Sequence, residues 1–198
     1  MSGTVKFTQE TEKGSVTLPG TLLLQWPDRA RLEVQDPFGG VQLLLLIERE
    51  NFWLYRSDWR ENLQGKVKDF TKVAALPVRG EEFLPVFLAR PELKGWKLVD
   101  EELRGPRQER IRWDARYQLD TWSFPLGDAG EAEARYLDWQ AQGGVLYPTK
   151  IQFSWKRAGG NRKVQLQWDD WQPEVPNRPE LFAIPPRQTF GRPTKALP

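Results

Sequence analysis

The feature that most limits how this chain can fold is an apolar/polar alternation with period two, repeated along nearly its whole length. In ARLEVQ, Ala30, Leu32 and Val34 share one face while Arg31, Glu33 and Gln35 share the other; in KIQFSWK, Ile151, Phe153 and Trp155 oppose Lys150, Gln152, Ser154 and Lys156. Such segments are half-buried strands. Thr21 to Gln25, Val41 to Ile47, Phe52 to Arg56, Arg110 to Trp113, Tyr117 to Phe124, Glu133 to Trp139 and Lys163 to Trp168 read the same way. Most links between them are too short for parallel crossovers, which predicts one large antiparallel sheet.

Two connections read as hairpins, RAGGNR between Trp155 and Lys163 and DPFGG between Val34 and Val41. One stretch, Gly65 to Arg90, departs from the alternation. Val67, Phe70, Val73 and Ala74 recur at helical spacing, as do Phe83, Leu84, Phe87 and Leu88, which predicts two short amphipathic helices broken near Pro77. From Pro173 onward seven prolines mark an extended arm with room for one edge strand around Phe182 to Ile184. The expected architecture is mostly β with two to three helices: an open, curved antiparallel sheet, a half-barrel, with a helical lid over an apolar cavity. Residues 1–172 form the single domain and 173–198 the arm.

Two features go beyond fold. Val41 to Ile47 carries apolar residues on both faces, so this strand is covered twice, by core on both sides or by core and a ligand. Phe38 sits in the middle of a turn whose Asp36, Pro37, Gly39 and Gly40 all favour chain reversal, where burial is hardest to arrange. It either folds back onto the sheet or is held out to meet a membrane or a partner. Trp155 and Trp168 flank a hairpin and are expected to pair across strands; Trp113, Trp122 and Trp139 lie in successive strands, as packing or as a cavity wall.

Composition removes several function classes. The chain of 198 residues has no Cys and no His, so thiol nucleophiles, imidazole bases and common zinc sites are excluded; no phosphate loop or nucleophile motif occurs. Neither an enzyme nor a cofactor or metal is expected. The 29 basic and 27 acidic side chains are interleaved, which argues against nucleic acid as a partner. Asp169-Asp170 and Glu81-Glu82 are adjacent in sequence and read as solvated rather than as a shared carboxylate site. No apolar run reaches membrane-spanning length, and Met1-Ser2-Gly3 shows no signal-like segment.

The order RARLEVQDPFGGVQLLLL, then FWLYRSD, then a segment containing LPV, then YPTKIQFSWKRAGGNRKVQLQWDDW resembles the LolB family of outer-membrane lipoprotein receptors, from about Val16 to Trp171. The resemblance implies a protein that binds lipoprotein acyl chains non-covalently at the periplasmic face of the outer membrane. It would accept them from a LolA-like soluble carrier and release them into the inner leaflet, acting as a monomer. The Pro-hydrophobe-Gly turn of that family falls on Pro37, Phe38 and Gly39, which would contact the membrane. Together with the strand and helix patterns it assigns the acyl-chain cavity to Leu43, Leu45, Phe52, Leu54, Phe70, Phe83, Phe87, Trp113, Trp122 and Phe153.

There are departures. The family's lipidated N-terminal Cys is absent, the first strand region begins closer to residue 1 than the family suggests, and LFAIPP is similar to the extra C-terminal strand of LolA carriers. A soluble periplasmic carrier, or a combined carrier and receptor, therefore remains an alternative. So does a cell-envelope assembly module that holds no lipid.

Overall fold

A computed structural model describes residues 1–11, 14–59, 61–72, 78, 80–125, 130–157, 160–174, 178–183 and 194–196. Among them, β1 (Ser2–Thr11) stands in the middle of a single open sheet and joins two meanders. One meander runs outward from β1 as β2 (Gly14–Gln25), β3 (Arg29–Gln35), β4 (Val41–Glu48), β5 (Asn51–Arg56) and β6 (Asn62–Lys66). The other runs from β1 through β13 (Gly160–Gln172), β12 (Val145–Arg157), β11 (Glu131–Gln142), β10 (Leu119–Pro125), β9 (Arg110–Trp113) and β8 (Glu102–Arg104) to β7 (Lys97–Val99) at the edge. All these pairings are antiparallel. β14 (Thr194–Ala196) closes the opposite edge by pairing in parallel with β6.

Register places one side chain in two on an inner face. Leu22, Leu32, Leu45, Leu54 and Leu63 form one row across five strands, and Leu24, Ala30, Ile47 and Phe52 another. On the far side Ile111, Trp122, Ala134, Phe153 and Val164 continue the same face. Nearly all of these residues are buried in one cluster. A large exposed apolar face is unstable in water, so something must fill it.

What fills it corrects the expected helical lid. Among the described residues there are not two to three helices. Val67–Lys72 is a 3-10 turn, and a second 3-10 turn, Gly80–Glu82, runs into a single short α-helix, α1 (Phe83–Phe87). The first segment deviates because Val67 and Phe70, three apart, fit a three-residue turn as well as an α-helix. Val73, Ala74 and Pro77 lie outside the described residues. Nor is α1 amphipathic: all five of its residues are buried, so it is a plug inside the sheet rather than a lid with one face to water.

The plug is seated by rings. Phe52 meets Phe70 at 5.4 Å between centroids, Phe70 meets Phe83 at 6.2 Å, Phe83 meets Phe87 at 4.3 Å, and Phe87 meets Phe153 at 5.3 Å. Phe52 is on β5 and Phe153 on β12, six strand spacings apart, about 29 Å along a flat sheet. Four ring steps, none longer than 6.2 Å, bridge that interval only because the sheet curls around the plug. The Tyr136 hydroxyl donates to the Val86 carbonyl at 3.0 Å and ties the plug to β11. Gly80 passes so close to Val67 that an added Cβ would lie 2.3 Å from its carbonyl oxygen.

A bulge sets the parity of the last long strand. β1 pairs Thr4 with Asp170 and Val5 with Trp168, which leaves Asp169 as the extra residue. As a result Trp168 and Trp171, three apart, are both buried, while Asp169 and Asp170 are both exposed. Gly3 faces this bulge, and a Cβ there would stand 2.0 Å from the Asp170 carbonyl oxygen. Trp155 lies opposite Arg162, so it does not pair with Trp168 as expected; the hairpin register puts the two indoles at opposite ends of their strands.

The doubly apolar strand is explained by the arm. On the outer face Leu44, Leu46, Trp53 and Tyr55 form a second cluster. A 3-10 turn at Pro179–Phe182, where an edge strand was expected, lies against β3 and β4; Ile184 is outside the described residues. Arg31 donates to the Leu181 carbonyl at 3.0 Å and to Glu33 at 2.6 Å. Both covers of β4 are thus protein. No helix among the described residues is long and apolar enough to cross a membrane.

Phe83 is central to the ring chain and fully buried, so Phe83→Ala is expected to cost about 3–5 kcal/mol. Urea denaturation with an unchanged m-value checks this. A loss below about 1 kcal/mol would show that the plug packs loosely.

Candidate functional site

The sequence-assigned cavity residues separate into two groups. Leu45, Phe52, Leu54, Phe70, Phe83, Phe87, Trp122 and Phe153 are buried in the one inner cluster, and Leu43 packs against it. Trp122 joins through Trp96, at 6.2 Å, and Phe124, at 5.2 Å. Trp113 stands apart at the end of β9, 36% exposed. The buried group is in mutual contact through the plug. Any apolar ligand on the central inner face would have to replace α1 rather than enter beneath it.

Open space lies at the margins. One cleft of about 510 Å³ runs between the β2–β3 and β4–β5 links and the plug, floored by Ile47, Val67, Gly80 and Leu84. A groove of about 400 Å³ lies where α1 leaves the sheet, bounded by Leu24, Trp26, Leu88, Leu146, Tyr147 and Trp171.

The turn at Asp36–Gly40 is the most defined surface feature. Asp36 is its organiser. The Asp36 amide donates to the Gly40 carbonyl at 2.8 Å and the Gly39 amide to the Asp36 carbonyl at 3.0 Å. Asp36 Oδ1 accepts the amides of Phe38, at 2.8 Å, and Gly40, at 2.9 Å, while Oδ2 accepts Gln42 Nε2 at 2.8 Å. Gly39 supplies the left-handed φ of +84° that closes the turn. Held this way, Phe38 is 96% exposed. The side chain does not fold back onto the sheet.

A second turn of the same design escaped the sequence reading. At Asp114–Gln118 the Asp114 amide donates to the Gln118 carbonyl and the Tyr117 amide to the Asp114 carbonyl. Asp114 Oδ1 accepts the amides of Arg116 and Gln118. Tyr117 takes the left-handed position, φ +60°, and is 90% exposed. DARYQ lacks Pro and Gly, the usual turn markers; its only signal is the leading Asp. Strand alternation puts the two turns at opposite ends of the sheet, Phe38 after β3 and Tyr117 after β9.

The overall architecture has solved counterparts. A LolA superfamily protein from Nitrosomonas europaea superposes with a TM-score of 0.54 at 12% identity, covering 90% of each chain. A protein domain from Vibrio parahaemolyticus named for outer membrane lipoprotein sorting superposes with a TM-score of 0.59 at 14% identity, over 91% of this chain and 88% of the other. These likenesses establish the fold. No protein-family model matches the chain. No curated protein matches it either.

The Asp36 clamp has a pH signature. The Gly40 and Phe38 amides, with Gln42, hold its carboxyl below the ordinary value of 3.8, against a small opposing effect of burial. A depressed folded-state pKa means the clamp is intact above about pH 3.8 and is lost as pH falls through the lower folded value. Proton–nitrogen NMR should show the Phe38 and Gly40 amides titrating together with a midpoint below 3.8. A midpoint at or above that value would show that the clamp does not form in solution.

Proposed function

We propose that this protein takes up lipoprotein acyl chains without covalent chemistry and delivers them into the outer membrane from its periplasmic face, in the manner of the LolB family. The observation that carries the reading is Phe38: a large aromatic, 96% exposed, held at the tip of a turn by an internal carboxylate clamp. The fold shared with a lipoprotein-sorting domain supports it.

The physical case is one of magnitudes. Each buried acyl methylene is worth about 0.8 kcal/mol, so a lipoprotein crosses water only inside a protein. Inserting one Phe gains about 1.5–3 kcal/mol, enough to bias docking and too little to hold the protein in the bilayer. Touch-and-leave contact suits a transfer device. Loading then displaces α1 from the inner face, where ring contacts give way to acyl chains on the same apolar rows. The partners of the cycle are a LolA-like carrier as donor and the inner leaflet as acceptor.

Phe38→Glu tests this. The side chain touches little protein, so stability should change by less than about 0.5 kcal/mol. Acceptance of a fluorescent lipoprotein from a loaded carrier should persist, while release into phospholipid liposomes should fall about tenfold or more. A variant that releases cargo at the wild-type rate would overturn the membrane role of the turn. Cargo flowing from this protein to a receptor would instead identify a carrier.

A further inference from the structure

We propose that the groove beside the exit of α1 binds a single-chain lipid with a zwitterionic head, a phosphate joined to an ammonium, as in a lysophosphatidylethanolamine. This site requires neither Phe38 nor displacement of the plug. It lies at the end of the sheet away from Phe38, where β2 and β13 finish and β12 begins.

The groove has an apolar floor and an open mouth. Tyr147 and Trp171 stack at 3.7 Å with planes 15° apart, and Leu24 extends this floor. Leu88 forms the wall on the α1 side. At the mouth Trp26 and Leu146 are left 48% and 50% exposed beside it, so burying them is a gain available only to an incoming apolar group. Its volume of about 400 Å³ lies in the range of small-molecule sites.

Polar groups specify the head. Arg90 and Glu174 both line the groove and both are exposed. Neither has an ion-pair partner among the described residues, and they do not pair with each other. Opposite charges that line one groove without forming an ion pair with each other match a ligand that carries both: phosphate to Arg90 and ammonium to Glu174. The half-exposed Trp26 ring adds a face suited to the ammonium. Met1 also lines the groove; its amine donates to the Leu24 carbonyl at 2.9 Å, and burial, then Arg90, against an opposing pull from Glu174, lower its pKa to about 6, so at neutral pH it is mostly uncharged and leaves Glu174 to an incoming ammonium.

The test uses lysophosphatidylethanolamine with a brominated chain, which quenches nearby Trp fluorescence, against lysophosphatidic acid of the same chain, both below their micelle concentrations. Saturable quenching is expected with the first lipid. Arg90→Gln should weaken both lipids by about threefold or more. Glu174→Gln should weaken the ammonium-bearing lipid and strengthen lysophosphatidic acid, by removing an attraction in one case and a repulsion in the other. Leu146→Asp, a charge at the mouth, should abolish saturable binding. All three positions are exposed, and unchanged thermal unfolding confirms intact folding. Absence of saturable quenching, or equal affinities in all four proteins, overturns the site. If Glu174→Gln leaves lysophosphatidylethanolamine binding unchanged, the zwitterionic assignment falls. Phe38→Glu should bind this lipid normally, which separates failure here from failure of membrane delivery.

Discussion

A large open sheet with an apolar inner face, and among the described residues no second sheet to lie against it, must have that face covered. In this protein the filling is the row of rings from Phe52 through Phe70, Phe83 and Phe87 to Phe153. Other features follow from that contact. The sheet curls, because its two meanders are drawn onto one short plug. α1 is buried on every side, because it meets protein all round. Gly80 has no side chain, because the turn that feeds α1 runs against the Val67 backbone. Flat rings suit the task, since offset and edge-on pairs fill space and add about 0.5–1.5 kcal/mol each beyond burial.

The same economy of cover operates outside. β1 pairs with both β2 and β13, so the first strand of the chain holds the two meanders together. Pro179–Phe182 of the arm lies against β3 and β4, anchored by Arg31 on the Leu181 carbonyl, and Thr194–Ala196 pairs as β14 along β6. Burial opposes ionisation of Glu33, yet its bonds from Arg31 and Gln35 outweigh that effect and hold its carboxyl below the ordinary range. A charged pair therefore sits beside the apolar outer cluster without an unsatisfied carboxylate. The open edge at β7 is only three residues long, a form that discourages pairing with other chains.

How much of this the residues announced depended on how closely they kept period two. β3 and β12 alternate cleanly, and their faces are those expected. β1 and the first half of β2 escaped because TVKFTQ and SVTLPG bury only part of each strand, leaving polar residues on inner positions such as Gln9. WDDW broke the rule outright: only a bulge brings two Trp three apart onto one face, and a bulge depends on tertiary pairing with Gly3. The helices were misread because spacings of three and four are shared by α-helix, 3-10 turn and buried plug, and the sequence does not say what surrounds them. In the candidate site the Phe38 turn was visible through Pro and Gly. Its counterpart at Tyr117 was not, because there the Asp carboxylate alone organises the backbone.

That comparison clarifies what Phe38 requires. An aromatic on a loose loop would collapse onto the nearest apolar surface, and the inner face offers a great deal of it. Keeping a Phe almost wholly in water demands a backbone that cannot bend toward the sheet. The DPFGG turn meets this demand with two main-chain hydrogen bonds, two more to Asp36 Oδ1 and a glycine in the left-handed region. Tyr117 shows that the frame does not need glycine, so Gly39 and Gly40 are not there merely to close a hairpin. Gly39 has nothing within 4 Å of where a Cβ would stand, and a Cβ on Gly40 would collide with the Asp36 carboxylate at 2.5 Å. Gly39 leaves the space beside Phe38 open, and Gly40 lets the Asp36 carboxylate approach where a Cβ would stand; Gln118 holds the corresponding place in the other turn, so that close approach belongs to this turn and not to the frame.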